Sequence, residues 1–224
     1  MEHSLKPNAL MAACDEKTRF LIYLLNAYMA LRKALKNDKK KEVRFWAASS
    51  LGIVGVKGAI ADLSEALGSE GDANVRVEIA RALGKIGDGT AIPALAEGMK
   101  RKNESVEVKK AIIAALRNIR EPGVLPILLT ALKEEKDPSI RSVAGEAYLD
   151  VGREDAVPEA LKCLKDKSWQ VRWWLIEGFG DLGDARAVSE IAKLLVEDKE
   201  PSVRKQAAWA LGNIGDIQAL EKLE

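Results

Sequence analysis

VRVEIARALGKIGD, residues 75–88, and VRKQAAWALGNIGD, residues 203–216, are two renderings of one sentence, Val-Arg-x-x-Ala-Ala-x-x-Leu-Gly-x-Ile-Gly. The sentence opens six times, at Val43, Val75, Val108, Ile140, Val171 and Val203, in steps of 32, 33, 32, 31 and 32 residues. A fixed period of this length marks stacked supersecondary units. With the leading Val or Ile numbered zero, apolar or small residues recur at 0, +4, +8 and +11. At about 100° per residue these fall within about 80° of one another, one buried stripe of a helix.

The helix starts are signalled by Asp72, Ser105, Asp137 and Ser168, whose side-chain oxygens can cap orphan N–H groups, and by Pro138 and Pro201 in the first turn. The expected stops are Gly55, Gly87, Gly152, Gly183 and Gly215. A second apolar-periodic run follows each stop, as in TAIPALAEGM, GVLPILLTAL, DAVPEALKCL and RAVSEIAKLL, so each unit is a helix hairpin. Such a hairpin cannot bury its apolar faces alone, and neighbouring pairs must stack. The expected fold is all-α, an α-solenoid of about six hairpins. A longer helix from Glu16 to about Lys36, capped by Asp15, heads the stack. Residues 1–14 are read as a leading, disordered segment and 15–224 as one repeat domain, with a C-terminal end that lacks a polar cap and permits weak self-association of an otherwise monomeric chain.

Composition narrows the function. Lys plus Arg number 35 against 34 Asp plus Glu, so no global positive charge answers a phosphate backbone and nucleic acid is not expected. His3 is the single histidine, which removes imidazole-based triads and His-rich metal sites. Cys14 and Cys163 form no paired motif, pointing to a reducing, cytoplasmic setting, and Cys163 reads as a packing residue. The most apolar stretch, Phe20 to Leu31, falls short of the roughly 20 residues a bilayer requires, and no signal peptide is evident. No catalytic residue, metal or cofactor is expected, and the chain reads as a non-enzymatic module.

The repeated sentence, with Ala-Ile/Val-Pro-x-Leu after it, resembles the short HEAT-like repeats shared by phycobilin lyase subunits, over roughly residues 28 to 224. The resemblance implies that the first helix of each hairpin lines the concave side, where variable positions touch partners. Positions +2, +3, +6 and +10 fall at about 200°, 300°, 240° and 280°, opposite a stripe centred near 40°. There stand Phe45 and Trp46 in repeat one, Trp173 and Trp174 in repeat five, and Trp209 in repeat six, with Trp169 two residues before Val171. Large aromatics away from a core leave apolar area in water unless a partner covers it, and Trp is enriched at binding hot spots. The same positions hold Arg81 and Lys85 in repeat two, and Glu146, Asp150, Glu177 and Asp181 in repeats four and five. The free face is therefore read as basic toward the N-terminal half and acidic toward the C-terminal half. The leading expectation is a scaffold that binds a protein or peptide on its concave face through exposed Trp residues; the alternative, which rests on the resemblance, is a bilin lyase-like or chaperone-like factor acting on a tetrapyrrole-carrying protein. The cation at +1 of every repeat (Arg44, Arg76, Lys109, Arg141, Arg172, Arg204) reads as architecture, bonded to carboxylates or carbonyls at adjacent turns, such as Asp88, Asp184 and Asp216.

Overall fold

A computed structural model describes residues 15–221, with side chains through Gly215. The expected leading segment 1–14 and the side chain of Asp216 lie outside the described residues. Twelve α-helices and no strand are found among the residues described. Helix α1 (Glu16–Asn37) starts at Asp15, which accepts the Thr18 N–H. The first helices of the six repeats follow as α2 (Lys41–Val54), α4 (Ala73–Ile86), α6 (Val106–Ile119), α8 (Pro138–Gly152), α10 (Trp169–Leu182) and α12 (Pro201–Glu221). Between them run α3 (Ile60–Ser69), α5 (Ile92–Lys100), α7 (Leu125–Glu134), α9 (Val157–Lys162) and α11 (Val188–Glu197), each entered through a 3-10 turn. Successive helices of the first series pack on one another, each hairpin partner packs behind, and α1 stands against α2 and α3 as the leading member of the second layer.

The side chains of Asp72, Ser105 and Asp137 cap α4, α6 and α8 as expected, whereas Ser168 spends its hydroxyl on Gln170 and makes no cap bond. Gly55, Gly87 and Gly183 end their helices in the left-handed region, at φ of 69°, 69° and 73°. Where repeat three has no glycine, Arg120 takes that conformation at φ 55°. Two expected stops fail. Gly152 closes α8 with ordinary negative φ and leaves the turn to Arg153, and Gly215 does not interrupt α12, whose backbone stays helical through Glu221.

Which layer is concave follows from the +9 glycines. A Cβ on Gly52 would stand 2.7 Å from the Cα of Ala82, one on Gly84 2.7 Å from the Cα of Ala115, and one on Gly180 3.1 Å from the Cα of Ala210. First-layer helices thus touch backbone to backbone, while in the second layer a Cβ on Gly98 would meet only side-chain atoms and one on Gly68 nothing within 4 Å. The closer-packed layer is the shorter arc of the curve. The +9 position, near 180°, faces the next repeat, and +7, near 340°, faces the preceding one. The free arc is therefore centred near 260°, on +6 and +10, rather than opposite the stripe.

The cationic ladder is architecture and bonds carboxylates and carbonyls as expected, but the carboxylates are not the aspartates singled out in the sequence. Arg44 meets Glu70, Arg76 meets Glu104, Lys109 meets Glu135 and Arg172 meets Asp198 at 2.6 Å, and Arg141 meets Asp166 at 2.7 Å. Each carboxylate stands at the entrance to the following repeat. The same arginines donate to carbonyls of their own preceding turn: Arg76 to Glu70 and Gly71, Arg141 to Glu135 and Lys136. Asp88 and Asp184 instead cap the 3-10 turns, accepting from the Thr90 and Arg186 N–H groups.

Candidate functional site

The Gly–Ala contact is missing at two consecutive junctions. Repeat three carries Arg117 at +9, facing Ala147 of repeat four, and repeat four carries Leu149, accommodated by Gly178 in place of alanine. A Cβ on Gly178 would lie 2.8 Å from a Leu149 methyl group. Long side chains at these seams leave a groove of about 170 Å³ across α8 and α10, lined by Arg117, Glu146, Leu149, Asp150, Arg153, Trp174, Glu177, Gly178, Asp181 and Leu182. Five expected partner-binding residues meet here: Glu146, Asp150, Trp174, Glu177 and Asp181.

Their charges are not equivalent. Arg117 holds Glu146 at 2.6 Å and Asp150 at 2.7 Å, and Arg120 reaches Asp150 at 3.3 Å. Burial opposes the Asp150 charge, but the Arg117 and Arg120 contacts outweigh it and hold the carboxyl below its usual range. Half of the acidic ladder read from sequence is thereby neutralised. Glu177 is the opposite case. Its Oε2 is buried without a hydrogen-bond partner, and burial, then Asp181 and Glu146, raise its pKa. A carboxyl whose folded pKa is raised binds its proton more readily in the native state, so its contribution to stability declines as pH climbs from the unfolded pKa through the raised one. Glu177→Gln is therefore expected to raise Tm at pH 7 by about 2–4 °C, the response of a chain of this size to ~1 kcal/mol. The gain disappears below the ordinary carboxylate range. A pH series of thermal melts reads this directly, and a variant no more stable than the parent at neutral pH would show that Glu177 is solvated.

The aromatic residues divide. Trp173 and Phe45, at +2, point into the seam toward the next repeat and pack half-buried against the core, because +2 lies only about 20° from the +9 contact. They are not on the free face, contrary to expectation. Each meets its neighbour edge to face: Trp173 with Trp174 at 4.9 Å, Phe45 with Trp46 at 5.5 Å. Trp174 turns to the groove. The Trp209 ring rests over Gly180, where a Cβ would meet it at 2.7 Å, and stays 42% exposed. Trp169 lies elsewhere, on the rim of charged turns with Arg172, Glu197 and Lys199. Trp46, Arg81 and Lys85 are exposed at repeats one and two, away from the groove. Arg117, Arg120, Leu149 and Gly178 went unnoticed in the sequence, although the loss of Gly at +9 in repeats three and four was a readable signal.

A family model for HEAT repeats matches residues 60–149 and 152–224. Among curated proteins, the bilin biosynthesis protein RpcF of Synechococcus is 28% identical over 117 residues, covering 51% of this chain and 55% of that protein. The phycocyanobilin lyase subunit beta of Nostoc is 30% identical over 95 residues, covering 42% and 46%. The chain thus spans about half the length of the curated relatives it matches. Of solved structures, human deoxyhypusine hydroxylase in complex with glycerol superposes with a TM-score of 0.54 at 21% identity, covering 87% of each chain. The complex of CpcE and CpcF of phycocyanin lyase from Nostoc gives 0.50 at 21%, covering 95% of this chain and 96% of that one. At that identity both structures speak to the fold alone. The expectation of a non-enzymatic module does not hold against the curated relatives: one is named as a subunit of a lyase, a component of an enzyme. No helix among the described residues is long and apolar enough to cross a membrane.

Proposed function

This chain belongs to the HEAT-repeat family, and from that premise we propose that it acts as one subunit of a bilin-handling lyase, holding a linear tetrapyrrole for transfer to or from a carrier protein. The observation that carries this reading is the pairing of Trp174 with the orphan Glu177 carboxyl in one groove. A linear tetrapyrrole offers a flat conjugated face, a row of pyrrole N–H donors and two propionates. Trp174 supplies a ring for the flat face. Glu177, with Asp181 behind it, accepts from pyrrole nitrogens and thereby gains the partner it lacks in the chain alone. Arg153, at the mouth with Arg117 and Arg120 nearby, faces the propionates.

The groove is too small to enclose such a pigment, since sites for ligands of that size run from roughly 300 to 1,000 Å³. The remaining wall has to come from a second protein, either a partner subunit or the carrier, laid across the concave face. This keeps the protein-binding role expected for that face and makes it the means of closing the site. The curated relatives, one named for bilin biosynthesis and one as a phycocyanobilin lyase subunit, support the reading.

Titration of the purified chain into phycocyanobilin tests it. The expected result is a red-shifted, sharpened visible band with saturable amplitude. Trp174→Ala is expected to weaken binding by about tenfold to thirtyfold, the size of a hot-spot truncation, while Trp169→Ala on the far rim leaves it unchanged. Because the site is completed by a second protein, the titration is repeated with phycocyanin apoprotein added, and a spectrum that does not move at saturating protein in either case removes the reading.

A further inference from the structure

Repeat four ends its first helix differently from its neighbours. In repeats one, two and five the glycine at +12 takes the left-handed turn, with φ and ψ of 69° and 19°, 69° and 26°, and 73° and 17°. Gly152 stands at +12 of repeat four, yet it stays helical at φ −83° and ψ −16°. Packing holds it there. A Cβ on Gly152 would lie 2.7 Å from the Cβ of Ala156 and 3.1 Å from a Leu125 methyl carbon, and α8 runs to 15 residues where α4 has 14. The reversal therefore falls on Arg153, at φ 49° and ψ −134°. Glycine visits that region freely and an L side chain does not, so Arg153 is held in a strained turn. It lines the groove described above.

Its charge is also unspent. Arg117 is held by Glu146 and Asp150, and Arg120 by Asp150. Arg153 is exposed and, among the described residues, its guanidinium makes neither an ion pair nor a hydrogen bond. Glu154 and Asp155, next along the chain, act on Arg186, which Asp184 already holds. Across the groove α10 contributes Glu177 and Asp181. The site thus combines two carboxylates on one helix with a single uncommitted cation at the end of the other. A ligand that fits carries N–H donors on its body and a carboxylate on a tether. We propose that Arg153 reads one propionate of the pigment and that the second propionate is left to the protein that closes the site. The assignment rests on the tetrapyrrole reading, and it narrows the three nearby arginines to one, because Arg117 and Arg120 already serve carboxylates of the chain itself. Backbone conformation, not a bonding partner, sets where the Arg153 side chain leaves the chain, so no protein carboxylate competes for it.

Two variants separate the charge from the backbone. Arg153→Ala removes the guanidinium and keeps the strained turn; Arg153→Gly removes both. Each is titrated with phycocyanobilin and with its dimethyl ester, which keeps the flat face and the N–H donors but has no carboxylate, with and without phycocyanin apoprotein. The readout is the ratio of acid to ester affinity. Whatever the second protein reads is common to parent and variant, so it cancels when their ratios are compared. The ratio is expected to fall about tenfold in both variants, the size of one charge-assisted contact. The glycine variant alone should also melt about 2–4 °C above the alanine variant, because glycine relieves the turn. A ratio left unchanged by either variant overturns the assignment, and so does a glycine variant no more stable than the alanine one. A parent chain that moves neither pigment's spectrum fails the tetrapyrrole reading and this inference together. A parent that binds, with variants that keep its ratio, fails this inference alone.

Discussion

Arg76→Ala lowers the unfolding free energy by about 3–5 kcal/mol at neutral pH, the expected cost of removing one partner from a buried ion pair. Arg76 is 7% exposed; its Nε and one terminal nitrogen bond both oxygens of Glu104 at 2.9 and 2.6 Å, and the other terminal nitrogen donates to the carbonyls of Glu70 and Gly71. Alanine leaves the buried Glu104 carboxylate with only the Ser105 N–H and the more distant Arg101 at 3.9 Å, and takes a donor from the Glu70 and Gly71 carbonyls. Burial alone would push Glu104 up; the Arg76 bonds and the Ser105 N–H outweigh it and hold the carboxyl below its ordinary value. The pair's contribution is therefore complete above the unfolded carboxylate pKa and is lost as pH falls through the depressed folded one. The mutational loss should shrink accordingly in acid, where protonated Glu104 no longer calls for a cation. Urea unfolding at pH 7 and pH 3 measures both. A loss under 1 kcal/mol at pH 7 would mean that water replaces the guanidinium and that the ladder does not hold successive repeats together. Arg81→Ala is the contrast: its side chain is exposed and 3.5 Å from Glu78, and little change is expected.

The second large effect is expected at Gly84. Valine there must place its Cβ 2.7 Å from the Cα and 2.9 Å from the Cβ of Ala115, and a backbone cannot step aside as the end of a side chain can. Overpacking at such a contact costs about 3 kcal/mol, to which a β-branched residue facing a tight seam adds its own rotamer restriction. Gly178→Ala is sterically similar on paper, with its Cβ 2.8 Å from Leu149, but the obstacle is a terminal methyl group. Leu149 can rotate, and alanine gains about 1 kcal/mol of helix propensity over glycine, so the net change should stay within about 1 kcal/mol. Denaturation midpoints of the two variants compare them directly. Equal, small losses would show that the first layer is not in backbone contact, and would undo the assignment of the concave side that rests on it. Because Leu149 and Gly178 line the groove, Gly178→Ala should also disturb pigment binding more than it disturbs stability.

Both experiments probe one device. Where glycine at +9 meets alanine at +7, first-layer helices close on one another and leave no room. Where Arg117 and Leu149 replace glycine, the seams open and a polar groove forms on the concave wall. The same substitution brings in the cation that consumes Glu146 and Asp150, and Glu177, whose buried Oε2 has no hydrogen-bond partner, is the contrasting case in the groove.

The hairpins, their layering and most of their ends were legible in the chain, since a 32-residue period, capping oxygens and left-handed glycines act within a few residues of themselves. Position zero to +11 of each repeat specifies a buried stripe whatever its neighbours are. What a single-helix wheel could not supply was the direction of the neighbouring repeats. Treating each helix as having one buried side placed +2 in solvent and put Phe45 and Trp173 on the free face, whereas a helix flanked on two sides keeps only a narrow arc near +6 and +10. Likewise Glu146 and Glu177 occupy equivalent positions in sequence, yet only Glu146 is ion-paired with Arg117. Only packing decided between them, because Arg117 reaches across the seam between repeats three and four to Glu146, and the buried Oε2 of half-buried Glu177 is left without a hydrogen-bond partner. Local propensity is written residue by residue; the state of a charge depends on which side chains the stack brings within about 3 Å of it.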